Sequence, residues 1–230
     1  MSHPIYWLNE DPCLFPQHKY ALKDPNGLLA AGGDLSIERL LYAYSLGIFP
    51  WYNSNEPILW WSPSPRSVIR PSQFKPSRSL AKFIRKGLYT VTSDTCFADV
   101  MRSCAAPRND QNGTWINQDM IKAYTKLHEI GFAHSVECWQ NDELIGGLYG
   151  IAIGKAFFGE SMFSTKDNAS KVAFAVLCEN LSSWGFEIID CQVHNPHLES
   201  LGAIEIPREE FLDILDRATA EKPDKEWQFG

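Results

Sequence analysis

Between residues 132 and 163 apolar residues fall in three short runs separated by polar turn residues. Phe132 to Trp139 alternates with a period of two, and Leu144 to Ile153 and Ala156 to Phe163 are apolar stretches of strand length. Asn141-Asp142-Glu143 and Gly154-Lys155 supply the turn chemistry between them, so the pattern predicts an antiparallel meander. Elsewhere the period lengthens to that of a helix. Met120, Ala123, Leu127 and Ile130 share one face of a helix over Asp119 to Ile130. A longer helix opens at Asn168-Ala169-Ser170-Lys171, turns Val172, Leu177, Cys178 and Leu181 toward a core, and stops at Gly185. Phe186 to Val193 returns as a strand, and Pro207 stands at the first position of a final helix.

Upstream, Ser36 caps a helix with Leu40, Leu41 and Tyr44 on one face and Gly47 at its end, and Ser77 caps another that runs to Gly87. Prolines break Ile48 to Tyr52 and Ile58 to Arg66 into extended pieces. The expected architecture is α/β of the α+β type. It has a small N-terminal domain over residues 1–64 and a larger domain over residues 65–230, whose mainly antiparallel mixed sheet is flanked by helices. Three antiparallel strands, a long helix and a return strand resemble the order of the acyl-CoA N-acetyltransferase (GNAT) core, so the expected C-terminal domain is GNAT-like.

Composition narrows the function. The 230 residues suffice for one large domain, or an ordinary one with a small companion, at about 150 residues per domain. Lys plus Arg is 21 against 28 Asp plus Glu, a net charge of −7, which excludes a surface that coats nucleic acid throughout. Hydrophobic residues at 44% and charged ones at 21% exclude a disordered or fibrous chain. Eight Trp are more than such a core needs, and several are bunched, which points to a stacking surface. Six scattered cysteines, no basic-then-apolar leader and no apolar run near about 18 residues predict a reduced, cytosolic protein without a membrane span. No CxxC pair exists to hold zinc, and no metal is expected.

Four sets of residues carry candidate chemistry. Strand alternation puts Asp190 and Gln192 on one face and Cys191 on the other; the pair reads either as a solvated strand edge or as a carboxylate and an amide sharing a cleft. Glu160, between Phe157-Phe158 and Met162-Phe163, needs a partner, which is either a structural salt bridge or a cationic group of a substrate. Arg78, Lys82, Arg85 and Lys86 fall within a roughly 100° arc without acidic i, i+4 partners; the stripe reads as a solvated face or as a phosphate-backbone contact. Trp51, Trp60-Trp61 and Trp115 are candidate stacking platforms, and Trp60 and Trp61 cannot both point inward on one strand. Ser161 lacks a G-x-S-x-G elbow, and Cys191, beside His194 and His197 but facing away from Asp190 and Gln192, reads as a buried small hydrophobe rather than as a nucleophile or metal ligand.

Ten segments in order resemble leucyl/phenylalanyl-tRNA–protein transferases. They are Pro25-Asn26-Gly27-Leu28-Leu29, Gly32-Gly33-Asp34-Leu35-Ser36, Gly47-Ile48-Phe49-Pro50-Trp51, Trp60-Trp61-Ser62-Pro63 with Pro65-Arg66, Gly113-Thr114-Trp115-Ile116, Gly146-Gly147-Leu148-Tyr149-Gly150, Gly159 to Ser164, Asn168 to Lys171, Asp190 to Val193, and Leu201-Gly202-Ala203 with Glu205 to Arg208. Ser64 and Ile37 depart from the family pattern, where an acid and a Pro are common. The resemblance implies a cytosolic, monomeric enzyme without metal or nucleotide cofactor. It would move Leu or Phe, and less efficiently Met, from aminoacyl-tRNA to proteins with N-terminal Arg or Lys, creating a destabilising N-terminus. By the same resemblance Asp190 polarises Gln192, which contacts the amine; Glu160 meets the acceptor's cationic group or places its amine. Trp51 and Trp115 hold the terminal adenosine, Leu148, Leu177 and Ile189 wall the amino-acid pocket, and Arg78, Lys82, Arg85 and Lys86 meet the tRNA backbone. Two other readings are an acetyl-CoA-dependent acetyltransferase and a non-catalytic tRNA-binding module. Against the first, Thr165 to Ser170 stands where a Q/R-x-x-G-x-G/A loop is required; against the second, such a module has no need of Glu160, Asp190 and Gln192.

Overall fold

The computed structural model describes residues 5–106, 115–223, 227 and 229. In chain order its elements are β1 (Tyr6–Leu8), β2 (Leu28–Gly32), α1 (Ile37–Ser45), β3 (Phe49–Pro50), β4 (Leu59–Trp61), β5 (Arg66–Ile69), α2 (Arg78–Ile84), β6 (Thr90–Ser93), α3 (Phe97–Ala105) and α4 (Gln118–Glu129). They continue with β7 (Ala133–Gln140), β8 (Glu143–Ile153), β9 (Ala156–Ser164), α5 (Ala169–Ser183), β10 (Ile188–Gln192), α6 (Pro196–Glu199), β11 (Ile204–Ile206) and α7 (Arg208–Ala220). Ser36, Ser77 and Asn117 cap α1, α2 and α4 by accepting from the backbone N–H three residues on.

Two sheets result. The smaller has the order β1-β2-β4-β3, and the larger β11-β5-β10-β9-β8-β7-β6. In the larger sheet β7, β8 and β9 form the expected antiparallel meander, and after α5 crosses over, β10 lies parallel to β9. The fold is therefore mixed α/β with a mixed sheet flanked by helices.

Alternation along the strands divides the core between the sheet's faces. Ile188, Phe158, Tyr149 and Ile151 face one side, where they meet α1, α3, α4, α7 and the small sheet through Tyr44, Val100, Tyr124, Phe211 and Trp60. Ile189, Phe157, Leu148 and Val136 face the other and pack on α5 through Val172, Leu177 and Leu181. The N-terminal sheet thus shares one apolar core with the larger sheet. Gly146 lets α5 approach closely: a Cβ there would lie 2.6 Å from that of Ala169.

Several expectations need correction. The N-terminal region holds a four-stranded sheet, whereas its pattern predicts one helix among broken extended pieces; β1 and β3 are too short to show alternation, and β2 is buried on both faces. β6, α3, α6 and β11 are additional elements. α2 is shorter than the reach to Gly87, so Arg85 is its C-cap and Lys86 lies beyond it. β10 spans Ile188–Gln192 rather than Phe186 to Val193. Gly113 and Thr114 lie outside the described residues.

Candidate active site

The site is built around the C-terminal end of β10, which lies between β5 and β9. Asp190 opposes Val68 on one side and Phe158 on the other, and its side chain is fully buried. Arg66 at the start of β5 meets it as a fork, Nε donating to Oδ1 at 2.8 Å and Nη2 to Oδ2 at 2.6 Å. The guanidinium lies over the rings of Phe49 and Phe211, 4.9 and 4.6 Å from their centroids. Asp190 is therefore not a solvated edge residue. With both charges out of water, each depends on the other's geometry.

The ladder slips immediately after Asp190, so that Gln192 is opposite Ser67. Gln192 has φ +64°, and its backbone N–H donates to Asp190 Oδ1 at 2.8 Å. The left-handed turn costs about 1–2 kcal/mol, which that charge-assisted bond offsets. It also aims the side-chain amide away from the strand, and Nε2 donates to Glu160 Oε1 at 2.9 Å. Asp190 thus touches the backbone of Gln192, while the amide side chain is held by Glu160.

Glu160 has no cation beside it among the described residues; its partners are hydroxyls and the Gln192 amide. Tyr44 donates to Oε1 at 2.7 Å and Tyr124 to Oε2 at 3.2 Å. The two hydroxyl oxygens are 2.5 Å apart. Helical spacing delivers both rings: Tyr44 follows Leu40 by four residues on α1, and Tyr124 follows Met120 by four on α4. Burial pushes the Glu160 carboxyl up to about 7, the hydroxyl bonds oppose that rise, and the charge of Asp190 adds to it. Burial, then the neighbouring Glu160, raises both tyrosine hydroxyls well above the phenol range.

Beyond this cluster the two parallel strands part. Pairing of β9 with β10 ends at Phe158 and Asp190, but β9 continues to Ser164 along β8 alone. Glu160 and Gln192 meet at the wedge where the two strands part. On the α5 side of the sheet Leu148, Leu177 and Ile189 are buried in one apolar cluster with Met162 packed against it.

Trp60 is fully buried and donates to the carbonyl of Gly32, whereas Trp61 is half-buried and donates to the carbonyl of Trp51. Trp51, 45% exposed, lies 5.7 Å from the Trp61 ring. Trp115 is half-buried against the core that contains Tyr124 and Tyr149. Arg78, Lys82, Arg85 and Lys86 are all exposed, while Leu80, Phe83 and Ile84 anchor α2 to the α5-side core. Cys191 is buried on that side, His194 turns to Glu199, and no group of three potential metal ligands forms among the described residues.

Comparison with known sequences settles the family. Residues 68–216 match the family model described as leucyl/phenylalanyl-tRNA protein transferase, and residues 33–64 match the model for the N-terminal domain of that family. This chain belongs to the leucyl/phenylalanyl-tRNA–protein transferase family. The protein of that name from Cellvibrio japonicus is 59% identical over 220 residues, covering 96% of this chain and 94% of its own. Its counterpart from Nitrosospira multiformis is 62% identical over 211 residues, covering 92% and 90%. Among solved structures, FemX matches with a TM-score of 0.49 at 12% identity, over 78% of this chain and 71% of its own. The chain is an enzyme, an aminoacyltransferase, and its family name implies aminoacyl-tRNA and a protein as its substrates. Among the described residues no helix is long and apolar enough to cross a membrane.

For a transferase of this family, Arg66, Tyr44 and Tyr124 are the site residues that pattern reading passes over. Tyr44 occupies a core position on its helix, and only its hydroxyl, which requires a partner when buried, distinguishes it. Arg66 opens a strand that is buried throughout, and an arginine in such a strand demands a buried acid.

Proposed function

We propose that this enzyme transfers Leu or Phe, and less efficiently Met, from its tRNA to the α-amine of a protein that begins with Arg or Lys. A peptide bond forms, and the new N-terminus marks the acceptor for degradation in the cytosol. The observation that carries this reading is the convergence of Glu160, Gln192 and Asp190 at the wedge between β9 and β10. An aminoacyl ester is already activated, and an α-amine with a pKa near 7.7–8.0 needs only placement and removal of a proton.

In this reading the Gln192 side-chain oxygen, free of the bond that its Nε2 makes to Glu160, accepts from the incoming amine. Asp190, locked by Arg66, fixes the backbone turn that aims it. Glu160 faces the acceptor's positively charged terminus. The side chain of Leu or Phe enters between Leu148, Leu177 and Ile189. Trp51 and Trp115 hold the terminal adenosine, and Arg78, Lys82, Arg85 and Lys86 meet the phosphates of the acceptor arm. Residues 1–64 and 65–230 form the two domains between which the tRNA end is held. Amine nitrogen bonds to the ester carbonyl carbon, the carbon–oxygen bond to the ribose breaks, and the ribose hydroxyl takes up a proton as it leaves.

The test is to mix the protein with labelled Leu-tRNA or Phe-tRNA and an Arg- or Lys-ended protein. Transfer of label to the acceptor is expected; its absence, or thermal stabilisation of the chain by acetyl-CoA instead, would overturn the reading.

A further inference from the structure

The oxygens of Tyr44, Tyr124 and Glu160 form a closed triangle. Tyr44 Oη is 2.7 Å from Glu160 Oε1, Tyr124 Oη is 3.2 Å from Oε2, and the hydroxyls are 2.5 Å apart. Each of the three contacts needs a hydrogen between its oxygens, and each tyrosine hydroxyl owns only one. Gln192 contributes its own hydrogen to a fourth contact, on Oε1. The missing hydrogen of the triangle has one source among the groups that touch it, the carboxyl of Glu160. With that proton the ring closes in one sense: Tyr124 donates to Tyr44, Tyr44 to Oε1, and protonated Oε2 to Tyr124. Without it both hydroxyls turn to the carboxylate, and their oxygens face one another across a contact that holds no hydrogen.

We infer that Glu160, with Tyr44 and Tyr124 as its positioning residues, is the acceptor for the proton that the substrate's α-ammonium must lose. The inference rests on the transferase reading above and deepens it, giving Glu160 a role in the chemical step rather than in anchoring a cationic side chain. The ammonium gives one proton to the Glu160 carboxylate, leaving a neutral amine and a protonated carboxyl. The amine's electron pair then attacks the ester carbonyl. As the ester bond breaks, the nitrogen's second proton leaves with the ribose oxygen, and Glu160 later releases its proton to water. Proton uptake supplies the hydrogen that the triangle lacks, while the two hydroxyls donate to the carboxylate before it, so one cluster holds Glu160 in both states of the step.

Burial and the charge of Asp190 favour the neutral carboxyl, against the bonds donated by Tyr44, Tyr124 and Gln192, which favour the charged one. Asp190 on β10 places a negative charge nearby, which opposes a second one on Glu160, although Arg66 from β5 offsets part of it. Tyr149 on β8 faces the same cluster, as do Tyr44 from α1, Tyr124 from α4 and Gln192 from β10, and none of these four carries a positive charge. Burial of the carboxyl likewise favours its neutral form.

Infrared difference spectra of the free full-length protein test the proton count without relying on activity. A protonated-carboxyl band is expected at about pH 6, lost by about pH 8.5, and absent from Glu160→Gln, whose amide replaces the protonated carboxyl. No such band above about pH 5 would overturn the inference. Tyr44→Phe should move the midpoint of that band, and an unmoved midpoint would remove the tyrosines from the account. Steady-state transfer separates the role from anchoring: Glu160→Gln should lower kcat by roughly 10²–10⁴-fold with a small change in acceptor KM, and should move the fall in kcat toward low pH up to the titration of the substrate's own α-amine. A raised KM with kcat unchanged would make Glu160 an anchor. If the wild-type chain transfers nothing, the transferase reading fails, while the infrared result still decides the protonation of Glu160.

Discussion

Arg66 grips Asp190 with two parallel hydrogen bonds of 2.8 and 2.6 Å inside a site from which water is excluded, with Phe49 and Phe211 stacked on the guanidinium. The two residues come from antiparallel neighbours β5 and β10, so the pair fixes the strand end from which Gln192 turns into the site. Arg66→Met should therefore destabilise the fold by about 3–5 kcal/mol, because it leaves a buried carboxylate unpaired. Chemical denaturation measures this directly. A loss below about 1 kcal/mol would mean that Asp190 finds another partner.

Asp190→Asn keeps the shape of the fork but removes its charge. Measured where the variant remains folded, it should lower turnover far more than tRNA affinity. Equal losses in both would assign Asp190 to folding or binding alone.

The exposed cations at α2 are the proposed contact with the tRNA phosphates, and salt dependence tests it. Reversing Arg78 and Lys82 to Glu should weaken binding and reduce the slope of log affinity against log salt by about 2, near 0.7–0.9 per lost phosphate contact. An unchanged slope would return these residues to a solvated face.

Trp51 and Trp60 should separate sharply. Trp60 is fully buried and hydrogen-bonded to Gly32, so Trp60→Ala should cost about 3–5 kcal/mol of stability. Trp51→Ala should leave stability within about 1 kcal/mol and weaken binding of the tRNA's terminal nucleotide by about 1–3 kcal/mol. Thermal melts and binding of a short 3′-end oligonucleotide distinguish the two.

Glu160 links stability to pH. Its folded-state value of about 7 lies above the ordinary 4.5, so between those values the folded chain holds more protons than the unfolded one. The contribution is fully present below about pH 4.5 and is lost as the pH rises to about 7. Glu160→Gln should abolish this slope and be more stable than the parent above about pH 7, by about 3 kcal/mol. Parallel denaturation curves at about pH 5 and pH 8 check it, and an equal difference at both would contradict the assignment.

Much of the fold was legible because its elements obey local rules. The meander, α5 and the caps at Ser36 and Ser77 follow from periodicity and side-chain acceptors. α3 was missed although Phe97, Val100, Met101 and Cys104 repeat at helical spacing, because its N-terminus carries no side-chain cap to mark it. The site was legible only in part: alternation separates Asp190 from Cys191, but Gln192 reaches Glu160 through a register slip and a left-handed turn that alternation does not describe. Its partners were not, because Arg66 and Asp190 are far apart in sequence and Tyr44, Tyr124 and Glu160 come from three elements. The left-handed turn at Gln192 was hidden as well, since no glycine marks it.

The most direct measurement is the mass of an Arg-ended peptide after incubation with Phe-tRNA and the enzyme, compared with the same peptide acetylated on its α-amine. The account predicts a gain of one Phe residue on the free amine, none on the blocked one, and a collapse of the rate in Gln192→Ala. Equal gain on both peptides, or a wild-type rate in Gln192→Ala, would contradict it.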